Sequence, residues 1–331
     1  MNIKLAGFGT ALALSFAFGA TALGAGTVEV DGSSTVYPIT EAVAEEFQKV
    51  GGGTRVTAGI SGTGGGFKRF CRGETDISDA SRPILKDEMI LCAQNGVKYV
   101  ELPIGMDALT LVVGKASNWV DYLTVAELKK MWEPAAQGKV KSWKQIRDTF
   151  PDVPLSLAGP GADSGTFDYF TEAVVGKAKS SRGDYQASED DNVIVQFVSK
   201  NKGALGYFGL AYYEENKDKL NAVPVKATDT APAVLPSVAT VNDGTYQPLA
   251  RPLFIYVNAK SIKRPEVKQF VDYYLEHAAE LTKEVGYIDL PAAEYEQAKQ
   301  NFNAVKVGTG FGGVPEVGVR IADLLKREGK S

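Results

Sequence analysis

The sequence predicts an α/β protein of two lobes, each built on a mostly parallel sheet, closing around a ligand cleft. Three observations predict it. Strand-like segments alternate with amphipathic helical ones through the first hundred residues, the order that builds parallel sheets. Three clusters rich in Gly, Ser and Thr, at 31–35, 61–66 and 163–166, each stand where a strand hands over to a helix. No flexible linker separates two continuous domains, so the lobes are expected to be discontinuous. One holds residues 26–105 with 254–331 and the other 106–253, the chain leaving near 103–110 and returning near 250–256.

Residues 27–31 read as the opening strand. Val36, Ile39, Val43, Phe47 and Val50 then recur at helical spacing, with Pro38 in the first turn, where a missing N–H is tolerated. Residues 55–60 alternate like a strand, and 67–72 form a short helix after the second cluster. A strand over 76–80 closes at Ser81-Arg82-Pro83. A helix over 86–95 follows, then strands over 97–102 and 109–113. Thr124-Val125-Ala126-Glu127 fits a capping box opening a helix to Trp132. A strand over 155–158 runs into the third cluster, after which Phe167, Phe170, Val174 and Val175 mark one face of a helix. A helix over 188–201 and a strand over 204–208 precede a weakly patterned stretch, 225–247. The strand 253–257 is strongly apolar, and the remainder reads as helices over 265–285, 291–301 and 315–328.

A chain of 331 residues holds two domains comfortably, and 44% hydrophobic with 23% charged residues is the composition of a soluble globular protein. A net charge of −4 argues against a broad nucleic-acid-binding face. It leaves a small anion open, because such a ligand responds to local donors. The N-terminal 25 residues carry Lys4, an apolar stretch to about Ala20 and small residues after it, the pattern of a cleaved secretory signal peptide. With no Cys at the cleavage zone and no later apolar span, the mature chain is expected to be periplasmic and soluble. In such a compartment two cysteines favour a Cys71–Cys92 disulfide over two buried thiols. One histidine and no Cys-x-x-Cys give no basis for a metal site, and no cofactor is expected.

The clusters carry the functional signal. Free N–H groups and the helix dipole at a helix start both favour negative charge, so three such starts facing one cleft make an oxyanion site. Ser, Thr and Asp are also ordinary N-caps, which is the plainer reading of any one cluster. The glycines at 62, 64, 65 and 66 do not spell a nucleotide loop: no Gly-Lys-Ser/Thr triplet follows, and Phe67 and Arg69 stand where a dinucleotide loop needs its third glycine. Ser164 lacks a histidine base, since His277 lies inside a helical segment, so no catalytic residues are assigned. Arg82, at a strand's carboxyl edge before a proline, is placed to hold an oxyanion with both arms of its guanidinium.

In their order, Asp31-Gly32-Ser33-Ser34-Thr35-Val36, Gly59-Ile60-Ser61-Gly62-Thr63-Gly64-Gly65-Gly66, Ala80-Ser81-Arg82-Pro83, Asp163-Ser164-Gly165-Thr166-Phe167 and Gly203-Ala204-Leu205-Gly206-Tyr207 resemble the periplasmic phosphate-binding proteins of high-affinity phosphate ABC importers. The resemblance spans nearly the whole mature chain. It implies a type II periplasmic binding protein that hands inorganic phosphate to a membrane permease, without catalysis and as a monomer. It further implies phosphate contacts from Ser34, Thr35, Ser61, Ser81, Arg82, Ser164, Gly165 and Thr166. Two positions depart from the enterobacterial pattern: Arg82 stands where that pattern has Asp, and Pro160 where it has Arg. The carboxylate that accepts the phosphate proton is therefore unassigned by the match. Asp79 and Asp163 are its candidates, with Asp31 next. The same fold serving sulfate, molybdate or phosphonate is the alternative ligand reading, and a secreted phosphatase the alternative class.

Overall fold

The computed structural model describes residues 26–50, 52–162, 164–316, 318–327 and 329. The expected signal peptide and Asp163 lie outside the described residues. In chain order the first elements are β1 (Thr27–Gly32), α1 (Tyr37–Val50), β2 (Arg55–Ile60), α2 (Thr63–Cys71), β3 (Ile77–Ala80), α3 (Lys86–Gln94) and β4 (Tyr99–Gly114). There follow β5 (Leu123–Thr124), α4 (Val125–Trp132), β6 (Ser156–Gly159), α5 (Gly165–Val175), β7 (Gln186–Ala187), α6 (Asp191–Lys200), β8 (Ala204–Gly209) and α7 (Leu210–Asn216). The chain continues through β9 (Leu220–Ala222), β10 (Val225–Lys226), α8 (Val238–Asn242), β11 (Ala250–Asn258), α9 (Pro265–Glu284), α10 (Ala292–Asn303) and α11 (Ile321–Leu324).

The main sheet runs β2-β1-β3-β11-β4-β8-β6-β7, with β9 also on β4. It is mixed, and its pattern follows the connections. Strands joined through helical crossovers stay parallel, as in β2-β1-β3 and β8-β6-β7. The two crossing strands, β4 and β11, run antiparallel to each other and to their outer neighbours β8 and β3. The two strands expected over 97–102 and 109–113 are one strand of 16 residues. Pro103 and Gly105, which read as a break, sit at a register shift: Leu253 faces Gly105 while Phe254 faces Pro103, leaving Ile104 as the extra residue of a bulge. A bulge bends a strand without ending it. The first part of β4 pairs with β11, and its last residues, Leu109–Val113, pair with β8.

Helix α1 buries Ile39, Val43, Ala44 and Phe47, each large apolar side chain contributing about 1.5–3 kcal/mol. Its Phe47 ring meets Phe270 of α9 edge-on at 5.3 Å. Val50, the last of the predicted stripe, is exposed at the end of the helix. In the other half of the sheet, Phe170 of α5 stacks on Tyr207 of β8 at 3.8 Å, and Trp132 meets both rings edge-on. That aromatic core fixes where α5 begins. Cys71 at the end of α2 is disulfide-bonded to Cys92 in α3. The helix expected over 315–328 is only the four residues of α11, because Pro315 and a positive-φ Gly318 precede it.

Candidate oxyanion site

The first cluster turns directly off β1. Gly32 is pressed on β3: a Cβ there would lie 2.1 Å from the Asp79 carbonyl oxygen, at a φ of +150°. Ser33 N–H donates to that same carbonyl at 3.0 Å, and Ser33 Oγ accepts from the N–H of Thr35 and, at longer range, of Val36. Ser33 thus holds the turn, and Ser34 and Thr35 are presented beyond it.

The second cluster closes against β3. Gly62 takes a φ of +74°, and α2 starts at Thr63. Thr63 Oγ1 accepts from Ser81 N–H at 3.2 Å and lies 3.1 Å from Ser81 Oγ. A Cβ on Gly66 would come within 2.5 Å of Gly32 Cα, so this glycine serves the close approach of α2 to β1. Ser61 is exposed, and its hydroxyl donates to the Asp31 carboxylate at 3.0 Å.

The third cluster arrives from the opposite half of the sheet. Ser164 caps α5, its Oγ accepting from Thr166 N–H at 3.1 Å. Gly165 lies against the first cluster: a Cβ there would fall 2.6 Å from Thr35 Oγ1 and 3.2 Å from Thr35 N. Two segments 130 residues apart in sequence therefore meet directly, at a position with no room for a methyl group.

Beside this contact lies a cavity of about 150 Å³ whose lining includes Ser34, Thr35, Thr63, Ser81, Arg82, Asp168 and Arg251. Of the sequence-predicted residues, Ser34, Thr35, Ser81 and Arg82 line it. Ser164, Gly165 and Thr166 reach the cleft through the Gly165–Thr35 contact, and Ser61 stands outside the lining. The space continues into a second cavity of about 260 Å³ that shares Ser81, Arg82, Glu172 and Arg251 and has Met106, Tyr169, Pro248 and Phe311 in its walls.

Two expectations about charge change. Arg82 does not present a free fork: its two terminal nitrogens donate to Glu88 at 2.9 and 2.8 Å, and one also donates to Pro83 O at 3.1 Å. Glu88 is in reach because it opens α3, where it also accepts from Leu85 N–H. Asp79, a candidate proton acceptor, stands on β3, which ends at Ala80 before Ser81. Asp79 is buried, outside the cavity lining, and neither carboxylate oxygen has a hydrogen-bond partner among the described residues. Burial pushes its carboxyl up to about 7, with the neighbouring Asp31 charge adding and the Thr40 hydroxyl opposing. Asp31 is itself tied to Arg69 and Ser61.

Thr63, Asp168, Glu172 and Arg251 are among the lining residues that the sequence reading did not assign to the site. Arg251 Nε donates to Asp107 at 3.2 Å, its Nη2 donates to Thr35 Oγ1 at 3.1 Å, and its guanidinium lies 3.8 Å from the Tyr169 ring centroid. The available signal was an Arg-Pro step, shared by Arg82-Pro83 and Arg251-Pro252. Arg264-Pro265, which opens α9, has it too, so the dipeptide alone does not select the cleft.

Residues 19–277 match the family model for the PBP superfamily domain. Protein SphX of Synechococcus elongatus is 54% identical over 302 residues, covering 91% of this chain and 89% of that protein. Phosphate-binding protein PstS of Staphylococcus saprophyticus is 40% identical over 285 residues, covering 85% and 86%. Among solved structures, a possible phosphate binding protein from Planctomyces limnophilus is similar with a TM-score of 0.81 and 47% identity, covering 85% of this chain and 98% of that one. An ABC-type phosphate transport receptor from Vibrio cholerae, at 23% identity and a TM-score of 0.63, shares the fold. With a turn, a strand end and a helix start converging on one polar cleft, and with relatives that align over most of their length, the chain belongs to the PBP superfamily and, within it, to the family of SphX and the phosphate-binding protein PstS.

Proposed function

We propose that this protein captures inorganic phosphate outside the cytoplasm and delivers it to the permease of an ABC importer, with no reaction of its own. The observation that carries this reading is the convergence of the Ser33–Thr35 turn, the Thr63–Ser81 pair and the capped start of α5 on one cavity. Ser34, Thr35, Ser81, Ser164, Gly165 and Thr166 would supply neutral N–H and O–H donors, with Arg82 in the lining beside them and Ser61 at the margin. The lobes would be 26–105 with 254–331, and 106–253; the bulge at Ile104 and the change of partner along β4 support a hinge there. Binding energy would then close the lobes, and the closed form would be what the permease engages. A cleaved leader over 1–25 would direct export, and among the described residues no helix is long and apolar enough to cross a membrane.

Discrimination from sulfate would come from a carboxylate that accepts the phosphate proton and repels a fully ionised ion of the same shape. Asp163 is the proposed acceptor, because Asp79 is buried outside the cavity lining. The adjoining 260 Å³ cavity, with Met106, Tyr169 and Phe311 in its walls, favours a second reading in which the oxyanion carries a small organic group, as a phosphonate does. Calorimetry with phosphate, sulfate and methylphosphonate tests both. One tight phosphate per chain, with a raised Tm and no hydrolysis of phosphate esters, is expected. Steady ester hydrolysis abolished by Ser164→Ala, or preference for the phosphonate, would displace the first reading.

A further inference from the structure

The cleft contains two arginines, and their environments differ. Arg82 has both terminal nitrogens on Glu88, so its fork is occupied. Arg251 is held from three sides by three separate segments. Asp107 on β4 accepts from Nε, Thr35 accepts from Nη2, and the Tyr169 ring on α5 lies under the guanidinium plane. Tyr169 is itself fixed, its hydroxyl donating to Pro248 O at 2.7 Å. Nη1 has no hydrogen-bond partner among the described residues, yet the side chain lines the cleft and is only 13% exposed. A guanidinium has five N–H groups, and two are used here, which leaves donors in fixed directions.

We propose that Arg251 is the charge partner of the bound oxyanion and that Asp107 is its positioning residue. The inference rests on the oxyanion reading of the cleft and goes beyond it by assigning this role to a strand residue outside all three clusters. Preorganisation supports it: the orientation is already fixed by contacts that an entering anion need not break. The alternative through Arg82 requires an anion to displace a bidentate carboxylate first. Arg251 and Asp107 also face each other across β11 and β4, the two strands that join the halves of the sheet. A ligand held by Arg251 therefore pulls on the crossing strands themselves, and through Thr35 and Tyr169 on both walls of the cleft.

The test measures phosphate binding by calorimetry on the whole mature protein and on Arg251→Lys, Asp107→Asn and the double variant Arg251→Met/Asp107→Asn. The double variant removes both buried charges, so no unpaired charge is left to unfold the chain. It is expected to keep a native Tm and to lose about 30-fold or more in phosphate affinity. Asp107→Asn alone, which retains the guanidinium, is expected to bind at least tenfold more tightly than the double variant, and Arg251→Lys to fall between the double variant and the wild type. A purely structural ion pair predicts the same affinity for Asp107→Asn and the double variant, and that result would overturn the assignment. So would a double variant within threefold of wild type. Failure of the wild-type protein to bind phosphate at all would instead reject the functional reading beneath it.

Discussion

Replacing Gly165 by alanine isolates the contact between the two walls of the cleft. A Cβ at this position would lie 2.6 Å from Thr35 Oγ1, 3.2 Å from Thr35 N and 3.3 Å from Thr35 Cα, against an ordinary contact of 3.4–4 Å. Two responses are open. Thr35 can turn its hydroxyl away, which gives up the hydrogen bond from Arg251 Nη2. Otherwise the start of α5 must retreat by roughly 0.8 Å, carrying Ser164 and Thr166 with it. Either way a hydrogen bond to a charged group is weakened, a loss of about 1.5–3 kcal/mol, or roughly 10- to 150-fold in affinity. The fold should not suffer, because Gly165 opens a helix and alanine is the better helix former by up to about 1 kcal/mol. Gly165→Ala is therefore expected to keep or raise the Tm of the free protein while losing phosphate affinity and most of the phosphate-induced Tm shift. Differential scanning fluorimetry with and without phosphate, backed by calorimetry, reads both quantities. A variant that binds phosphate within threefold of wild type would refute the reasoning, since the walls would then not need this approach to hold the ligand.

The Cys71–Cys92 bridge closes a sequence separation of 21 residues and should contribute about 3 kcal/mol in the chain-entropy model; reduction under native conditions, followed by urea unfolding, measures it, and an unchanged midpoint would exclude that contribution. For Asp79 the folded carboxyl is raised from 3.8 to about 7, so the native state holds a proton that the unfolded state releases, and stability falls as pH rises through that window. Asp79→Asn should remove this part of the slope, a few kcal/mol at most between pH 4 and 8, and parallel wild-type and variant curves would count against it. Glu88→Gln should release the Arg82 fork and tighten phosphate binding by about 3- to 10-fold, as read by calorimetry; weaker binding would mean that Glu88 orients Arg82 for the ligand.

Local chemistry made much of this protein legible in its sequence. Helices α1, α4 and α9 follow from apolar residues at helical spacing and from the Thr124–Glu127 capping box, which forms as read. The three clusters at strand-to-helix junctions were visible for the same reason, because caps and tight turns are made by neighbouring residues. The Cys71–Cys92 pairing needed only a count of two. What depends on partners distant in the chain was decided by the tertiary structure. Pro103 and Gly105 look like a break, and only pairing with β11 carries the strand through them as a bulge. Arg82 and Arg251 each read as an arginine before a proline, yet Glu88 occupies the fork of one while Asp107, Thr35 and Tyr169 hold the other in the cleft. Asp79 looked like a cleft carboxylate, but it is buried outside the cavity lining, with no hydrogen-bond partner for its carboxylate among the described residues. A side chain's charge belongs to its residue type; whether that charge is free, paired or suppressed depends on the groups that packing brings within a few ångströms, and those groups come from anywhere in the chain.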